Sequence, residues 1–294
     1  MTGDLTRRNV LRSVGTAAVG IPMAAMLASC SKVEPGGGAA PDTLAKAKEQ
    51  GYLRVAIANE PPYTKVEADG TVTGVEPDIL AAVAKKLGIK EIQGTTVTYD
   101  SMIPGLNANR WDVIAAGLFM KQSRCEAVAY AEPVIVSTES FGVPKGNPKK
   151  ITTVADVLAN KDLKIAVLTG GFEEGILKTA KVPTDQQVVV KDARSGIEAV
   201  KAKRADAFLL PTLSLEDLLK DDKDMEITEP VEDAPKTGSS AAFRKDDTKL
   251  QEAYNAELKK FKETGEFDEI LKKWGFDPTV VKGVTAEELC KNPG

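Results

Sequence analysis

Apolar positions along the chain recur with two periods. Short β-branched runs alternate with stretches in which apolar residues return every three or four positions, the pattern of an α/β fold with a largely parallel sheet. Leu53 to Ala58 reads as a first strand. Asp69-Gly70 marks a tight turn, and Pro77 to Leu87 carries apolar residues at Ile79, Leu80, Val83, Ala84 and Leu87, which predicts a helix closed by Gly88. Thr95 to Tyr99 is expected as a second strand, Ser101 to Asn107 as a short helix and Asp112 to Ala116 as a third strand. After Pro144-Lys145-Gly146-Asn147-Pro148 a second series begins. Its strands are expected at Leu163 to Leu168, Val188 to Val190 and Ala205 to Leu210, and its helices at Glu173 to Thr179, Ala193 to Lys203 and Leu213 to Lys220. An apolar segment, Ser240 to Phe243, then leads to helices over Thr248 to Thr264 and Phe267 to Trp274.

The first thirty residues follow a different rule. A basic start, Thr6-Arg7-Arg8-Asn9-Val10-Leu11-Arg12, precedes a weakly apolar run from Val14 to Leu27 and a small-residue site, the layout of an export signal. The arginine pair matches the twin-arginine (Tat) pattern. The run is shorter than the ~20 residues of a membrane span and contains Pro22. Leu27-Ala28-Ser29-Cys30 resembles a bacterial lipobox, in which Cys30 would be lipidated and become the first mature residue, leaving the protein outside the cytoplasm and held to the membrane by that anchor alone. The following Gly- and Pro-rich residues read as a flexible tether.

What remains is long enough for two α/β lobes with cores of their own. The expected boundaries are a signal peptide over 1–29, lipidated Cys and tether over 30–50, a first lobe over 51–142 plus 241–281, a second over 143–240, and a tail over 282–294. The net charge is −4, which gives no basic face for nucleic acid. Histidine is absent, removing serine–histidine and zinc–histidine chemistry together. No cofactor or metal site and no catalytic residue is expected.

Several phrases then line up in order. They are Asn59-Glu60-Pro61-Pro62-Tyr63, Gly74-Val75-Glu76-Pro77-Asp78-Ile79, Ile103-Pro104-Gly105-Leu106 with Arg110-Trp111-Asp112-Val113-Ile114, and Arg124. In these the chain resembles the extracellular solute-binding proteins of the polar amino-acid class, two-lobed α/β proteins of the type II periplasmic-binding fold. Within that class it is similar to ectoine and hydroxyectoine binding proteins, through Ile114-Ala115-Ala116-Gly117, Arg124-Cys125 and Gly283-Val284-Thr285-Ala286-Glu287-Glu288-Leu289-Cys290. The resemblance implies a monomeric substrate-binding component of an ABC importer, closing about a hinge between two chain crossings and delivering its ligand to permease subunits. It implies ligand contacts from Glu60, Tyr63, Tyr99, Phe119 and Arg124. Cys125 and Cys290 both lie within the shared phrases and would form a disulfide, the alternative being two separate buried thiols.

Read as chemistry, these positions suit a zwitterion. The planar guanidinium of Arg124 can take a carboxylate in two parallel bonds. Tyr63, Tyr99 and Phe119 fall at or near strand ends and offer faces to delocalised positive charge. Gly170-Gly171-Phe172 precedes a helix whose free N–H groups would attract an anion, which adds Gly171 and Phe172 to the expected site. Lys121 and Phe172 stand where the class usually has threonines, and Asp206-Ala207-Phe208-Leu209-Leu210 runs into Pro211-Thr212 without the acidic residue that would hold an α-ammonium. A polar amino-acid or opine binder is the alternative within the class, and a dehydratase-like enzyme using Glu60 as acid or base is the alternative outside it.

Overall fold

Two uninterrupted apolar runs form the centres of two sheets. The computed structural model describes residues 42–293, so the leader, Cys30 and the glycine-rich tether lie outside the described residues. In chain order the first part comprises α1 (Thr43–Gln50), β1 (Tyr52–Ile57), β2 (Lys65–Val66), β3 (Val72–Thr73), α2 (Val75–Lys86), β4 (Glu91–Thr96), α3 (Tyr99–Asn107), β5 (Val113–Ile114), α4 (Gln122–Ala127), β6 (Ala129–Tyr130) and β7 (Ile135–Ser137). The second part comprises β8 (Glu139–Pro144), α5 (Val154–Ala159), β9 (Ile165–Leu168), α6 (Phe172–Thr179), β10 (Gln187–Val190), α7 (Ala193–Lys201), β11 (Ala207–Pro211), α8 (Thr212–Leu219) and β12 (Met225–Ile227). The chain then returns through β13 (Thr237–Ser239) and β14 (Ala242–Phe243) to α9 (Thr248–Phe261), α10 (Gly265–Lys273) and α11 (Ala286–Leu289).

Lobe 1 is built on the sheet β4-β1-β5-β14-β6 and lobe 2 on β10-β9-β11-β8-β12. Parallel pairs occupy one side of each sheet, β4/β1/β5 and β10/β9/β11, and antiparallel returns complete the other. Val55, Ala56 and Ile57 in β1 and all of β11 are buried, because helices cover both faces of a parallel sheet. The crossings between lobes pair as β7 with β13, antiparallel.

The lobe boundary falls earlier than the expected 142/143. β8 pairs with β11 and β12 and so belongs to lobe 2 from Glu139 onward. The strands from 129 to 144 escape the periodicity because Ser137, Glu139 and Ser140 are buried polar residues in the place of apolar ones. The tether ends sooner than residue 50, since α1 is a helix capped by Asp42 and fixed by the buried Arg244, which donates to Thr43 Oγ1 at 2.9 Å. α2 begins at Val75 with Pro77 inside its first turn, where the missing N–H has no intrahelical acceptor. The second strand is Glu91–Thr96, and Tyr99 opens a helix instead of ending a strand.

The Ile103 to Ile114 phrase is architectural. The Trp111 ring lies against Gly105, where a Cβ would stand 2.0 Å from it, and the indole N–H donates to Met102 O at 2.9 Å. Asp112 receives a forked pair from Arg54, Nη2 at 2.6 Å and Nε at 3.0 Å, tying the start of β5 to β1. Tail residue Leu289 is buried against Gly238 in the crossing, and a bond joins Cys125 in α4 to Cys290 over a Cα separation of 5.8 Å. Among the described residues, no helix is long and apolar enough to cross a membrane and no cluster of acidic or sulfur ligands could hold a metal.

Candidate functional site

The loop after β1 delivers two side chains to the space between the lobes. Asn59 adopts φ 54°, a conformation asparagine tolerates, and its Oδ1 accepts from Val66 N at 2.9 Å. That turn points Glu60 inward, 4% exposed, while Thr64 Oγ1 accepts from its N–H at 3.2 Å. Tyr63 is buried, with its hydroxyl 2.5 Å from Ser137 Oγ in the crossing strand β7. Opening α3, Tyr99 donates to Ala116 O at 3.1 Å and to Glu60 Oε2 at 3.3 Å.

The loop after β5 supplies the rest of the lobe 1 wall. Gly117 has φ 66°, and a Cβ there would press on the Tyr63 ring at 2.9 Å. Its N–H donates to Glu76 Oε2 at 3.0 Å, and Glu76 is bonded in turn by Ser239, which fixes the loop to α2. Phe119 meets Tyr63 edge-on at 5.6 Å and Phe172 of lobe 2 edge-on at 5.8 Å. Arg124, 6% exposed in α4, donates through Nη1 to Phe119 O at 2.7 Å and through Nη2 to Gly170 O at 2.8 Å. Two of its five donors are thereby used, and the guanidinium touches both lobes.

Glu60, Tyr63, Tyr99, Phe119, Arg124 and Phe172 converge on one small cavity, with Gly117, Leu168, Glu173 and Pro211 as further lining. Only about 10 Å³ among these side chains has room for the centre of a water molecule, so a solute must part the lobes to enter. The lobes are closed on each other: Ser214 of α8 donates to Glu60 Oε1 at 2.7 Å, and Gly170 lies against Asp100 at a distance where a Cβ would meet its backbone N at 2.7 Å.

Gly171 is not in the lining. Its N–H donates to Leu168 O at 2.9 Å, and the start of α6 is already served by that helix's own carboxylates. Glu174 accepts from Gly170 N at 2.8 Å, and Glu173 folds back until its Oε2 lies 2.6 Å from where a Gly171 Cβ would stand. An anion-binding role for this helix start is therefore corrected: acidic side chains of the first turn take the place an anion would occupy. Glu173, Ser214 and Pro211 escaped sequence reasoning; two acidic residues in the first turn after the Gly pair were the available signal for self-capping.

The electrostatics are dominated by carboxyl groups. Burial, and then the charge of Glu173, pushes the Glu60 carboxyl up to about 7. Glu139 of β8, 1% exposed, is raised well above the ordinary carboxylate range by burial and by Glu173, which keeps it neutral; neither of its side-chain oxygens has a hydrogen-bond partner in the structure. Glu173 is raised by burial, a rise opposed by its own backbone N–H, the Glu139 proton and the charges of Arg124 and Lys121. Lys121, with its ammonium 5.9 Å from the Phe172 ring centre, is pushed down to about 8 by burial and Arg124. A roomier apolar groove between α5 and α6 lies elsewhere on lobe 2, and its Asp233 is engaged in capping α5 through Val154 N and Ala155 N.

Residues 53–277 match the bacterial extracellular solute-binding proteins, family 3. A probable amino-acid ABC transporter periplasmic-binding protein of Sinorhizobium fredii is 34% identical over 261 residues, covering 85% of this chain and 86% of that protein. The crystal structure of EhuB in complex with hydroxyectoine superposes with a TM-score of 0.82 at 44% identity, covering 85% of this chain and 98% of that one. An ancestral amino acid-binding protein, a precursor of cyclohexadienyl dehydratase, superposes with a TM-score of 0.68 at 25% identity, covering 80% and 99%.

Proposed function

Given that this chain belongs to the bacterial extracellular solute-binding proteins, family 3, we propose that it captures ectoine or hydroxyectoine outside the cytoplasm and presents it to an ABC importer. Ectoine is a cyclic amidinium carrying a ring carboxylate, neutral overall, with its cation spread over a ring. The observation that carries the reading is the convergence of Tyr63, Tyr99 and Phe119 with the carboxyl of Glu60 and the guanidinium of Arg124 on one enclosed cavity. Aromatic faces attract delocalised positive charge, Glu60 accepts a ring N–H, and the free donors of Arg124 take the carboxylate.

Ordinary α-amino acids fit this site less well. An α-ammonium needs several acceptors converging on one nitrogen, and the strand end that would supply an acid runs into Pro211 and Thr212. The solved relative bound to hydroxyectoine supports the same reading. Delivery to permease subunits follows from the family's transport role, with closure over the ligand as the signal. Residues 1–29 serve in this account as a Tat signal and Cys30 as the lipid anchor of a monomer. The Glu60 carboxyl, raised to about 7, keeps the dehydratase reading as the alternative. A thermal-shift screen of compatible solutes and amino acids, followed by NMR of the leading solute for turnover, tests the proposal: stabilisation by ectoine without consumption supports it, and consumption of the solute defeats it.

A further inference from the structure

Lobe 2 faces the cleft with a carboxylate where an anion-binding helix start would otherwise stand. Glu173 is 3% exposed, lines the cavity and curls over the first turn of α6. Glu139 of β8 is buried as well, and neither of its side-chain oxygens has a hydrogen-bond partner in the structure. Burial and the charge of Glu173 raise its carboxyl well above the ordinary range, which keeps it a neutral acid. A neutral buried acid has a proton to offer a neighbouring carboxylate and can hold it in one orientation.

The groups facing this pair come from every neighbouring element. Glu60 arrives from the loop after β1 and feels the charge of Glu173 across the cleft. From α4 come Arg124, already donating to Phe119 O and Gly170 O, and the half-buried Lys121. The hydroxyls of Tyr63 and Tyr99 are held by Ser137 and by Ala116 O with Glu60, and Glu174 turns away to Gly170 N. Closing the lobes over this set gathers two carboxylates, one from each lobe, into a site with little water. Like charges brought together in low dielectric repel strongly, whereas a cation with N–H groups on two edges satisfies both.

Resting on the zwitterion reading above, we propose that Glu173, positioned by Glu139, is the lobe 2 acceptor for the ligand's cationic group, and that Glu60 and Glu173 together resist closure until an N–H cation bridges them. An amidinium meets this requirement directly, because its two ring N–H groups point in divergent directions, one towards each lobe. The pair thereby selects for a cation with two divergent donors over a compact ammonium.

Two measurements test this, calorimetry with ectoine and small-angle X-ray scattering of the ligand-free mature chain. Glu173→Gln should weaken ectoine binding about tenfold or more, since a charge-assisted hydrogen bond is lost. Without ligand it should also be more compact than the parent, since the repulsion across the cleft is gone. Glu173→Ala removes the same charge and serves if the glutamine variant does not fold. Glu139→Leu should weaken binding, and Glu139→Gln, which keeps a donor towards Glu173, should recover most of the loss; equal losses in both would leave Glu139 a packing residue and overturn its role. A Glu173→Gln protein that binds ectoine as tightly as the parent, or that is no more compact without ligand, overturns the proposal. If the parent itself does not bind ectoine, the ligand assignment fails while scattering still decides the carboxylate pair: compaction of Glu173→Gln supports it and no change overturns it.

Discussion

The guanidinium of Arg124, carried by lobe 1, donates through Nη2 to the carbonyl oxygen of Gly170 in lobe 2 at 2.8 Å. This contact spans the cleft with the side chain best suited to hold a solute's carboxylate, so ligand recognition and lobe closure meet in one residue. Its other fork arm holds Phe119 O at 2.7 Å, which couples the aromatic wall to the same group.

Replacing Arg124 therefore removes a planar fork that a lysine cannot reproduce. Arg124→Lys should weaken ectoine binding at least about tenfold, and Arg124→Ala more, because the carbonyl of Phe119 also loses its donor. Isothermal titration calorimetry reads both, and a lysine variant that binds like the parent would show that the carboxylate is held elsewhere.

Glu60 sets a pH dependence with a definite sign. In the closed, ligand-free protein burial and Glu173 hold its carboxyl up at about 7, above its ordinary value of 4.5. Closing without ligand thus keeps a proton that the open, solvated carboxyl releases. This contribution to the closed state is fully present below the lower value and is lost as pH rises through the upper. A cation requires the ionised carboxylate, and the open ligand-free protein takes up that proton only towards the ordinary value of 4.5, so ectoine affinity should fall as pH drops towards that value, with proton release on binding in the same range. Calorimetry in buffers of different ionisation enthalpy measures that release, and an affinity flat from about pH 4 to about pH 8 would contradict the role given to Glu60.

The bond between Cys125 and Cys290 closes a loop of 165 residues and pins the tail to the helix that carries Arg124. Cys290→Ser should lower unfolding stability by about 2 to 4 kcal/mol, measured by denaturant titration. Reductant should act equally on the parent and leave the variant unchanged. No difference between the parent and the variant would show that the link adds nothing to stability.

Attachment to the membrane is tested at Cys30. Metabolic labelling with a fatty acid should mark the protein, Cys30→Ala should abolish the mark, and replacing Arg7 and Arg8 together by lysine should trap the precursor inside the cell. Persistent labelling of the Cys30→Ala protein would place the anchor elsewhere.

The legible part of the fold was what periodicity records. β1, β9, β10 and β11 and the helices α6 to α9 lie within a few residues of their expected positions, since each combines an apolar run with a clear turn or cap. β7 and β8 were hidden because the buried polar residues Ser137, Glu139 and Ser140 stand where a core pattern would have apolar ones. In the site, the resemblance to the binding-protein class pointed to Arg124 and the aromatics, and these side chains line one cavity. Glu139 was not legible, because a buried acid inside a strand has no sequence signature apart from the partner it meets. The start of α6 was misread for a related reason: free N–H groups attract an anion, and the helix's own Glu173 and Glu174 arrive first.

The identity of the ligand decides most of this account. Calorimetry of the mature protein against ectoine, hydroxyectoine, glutamine, arginine and histidine at about pH 7.5 compares them directly, in the range where Glu60 is ionised. The account predicts tight binding of ectoine or hydroxyectoine and at least about a hundredfold weaker binding of the three amino acids, the combined effect of the aromatic faces and the two carboxylates. An amino acid that binds more tightly than ectoine would contradict it and would trace the change in specificity to Lys121 and Phe172.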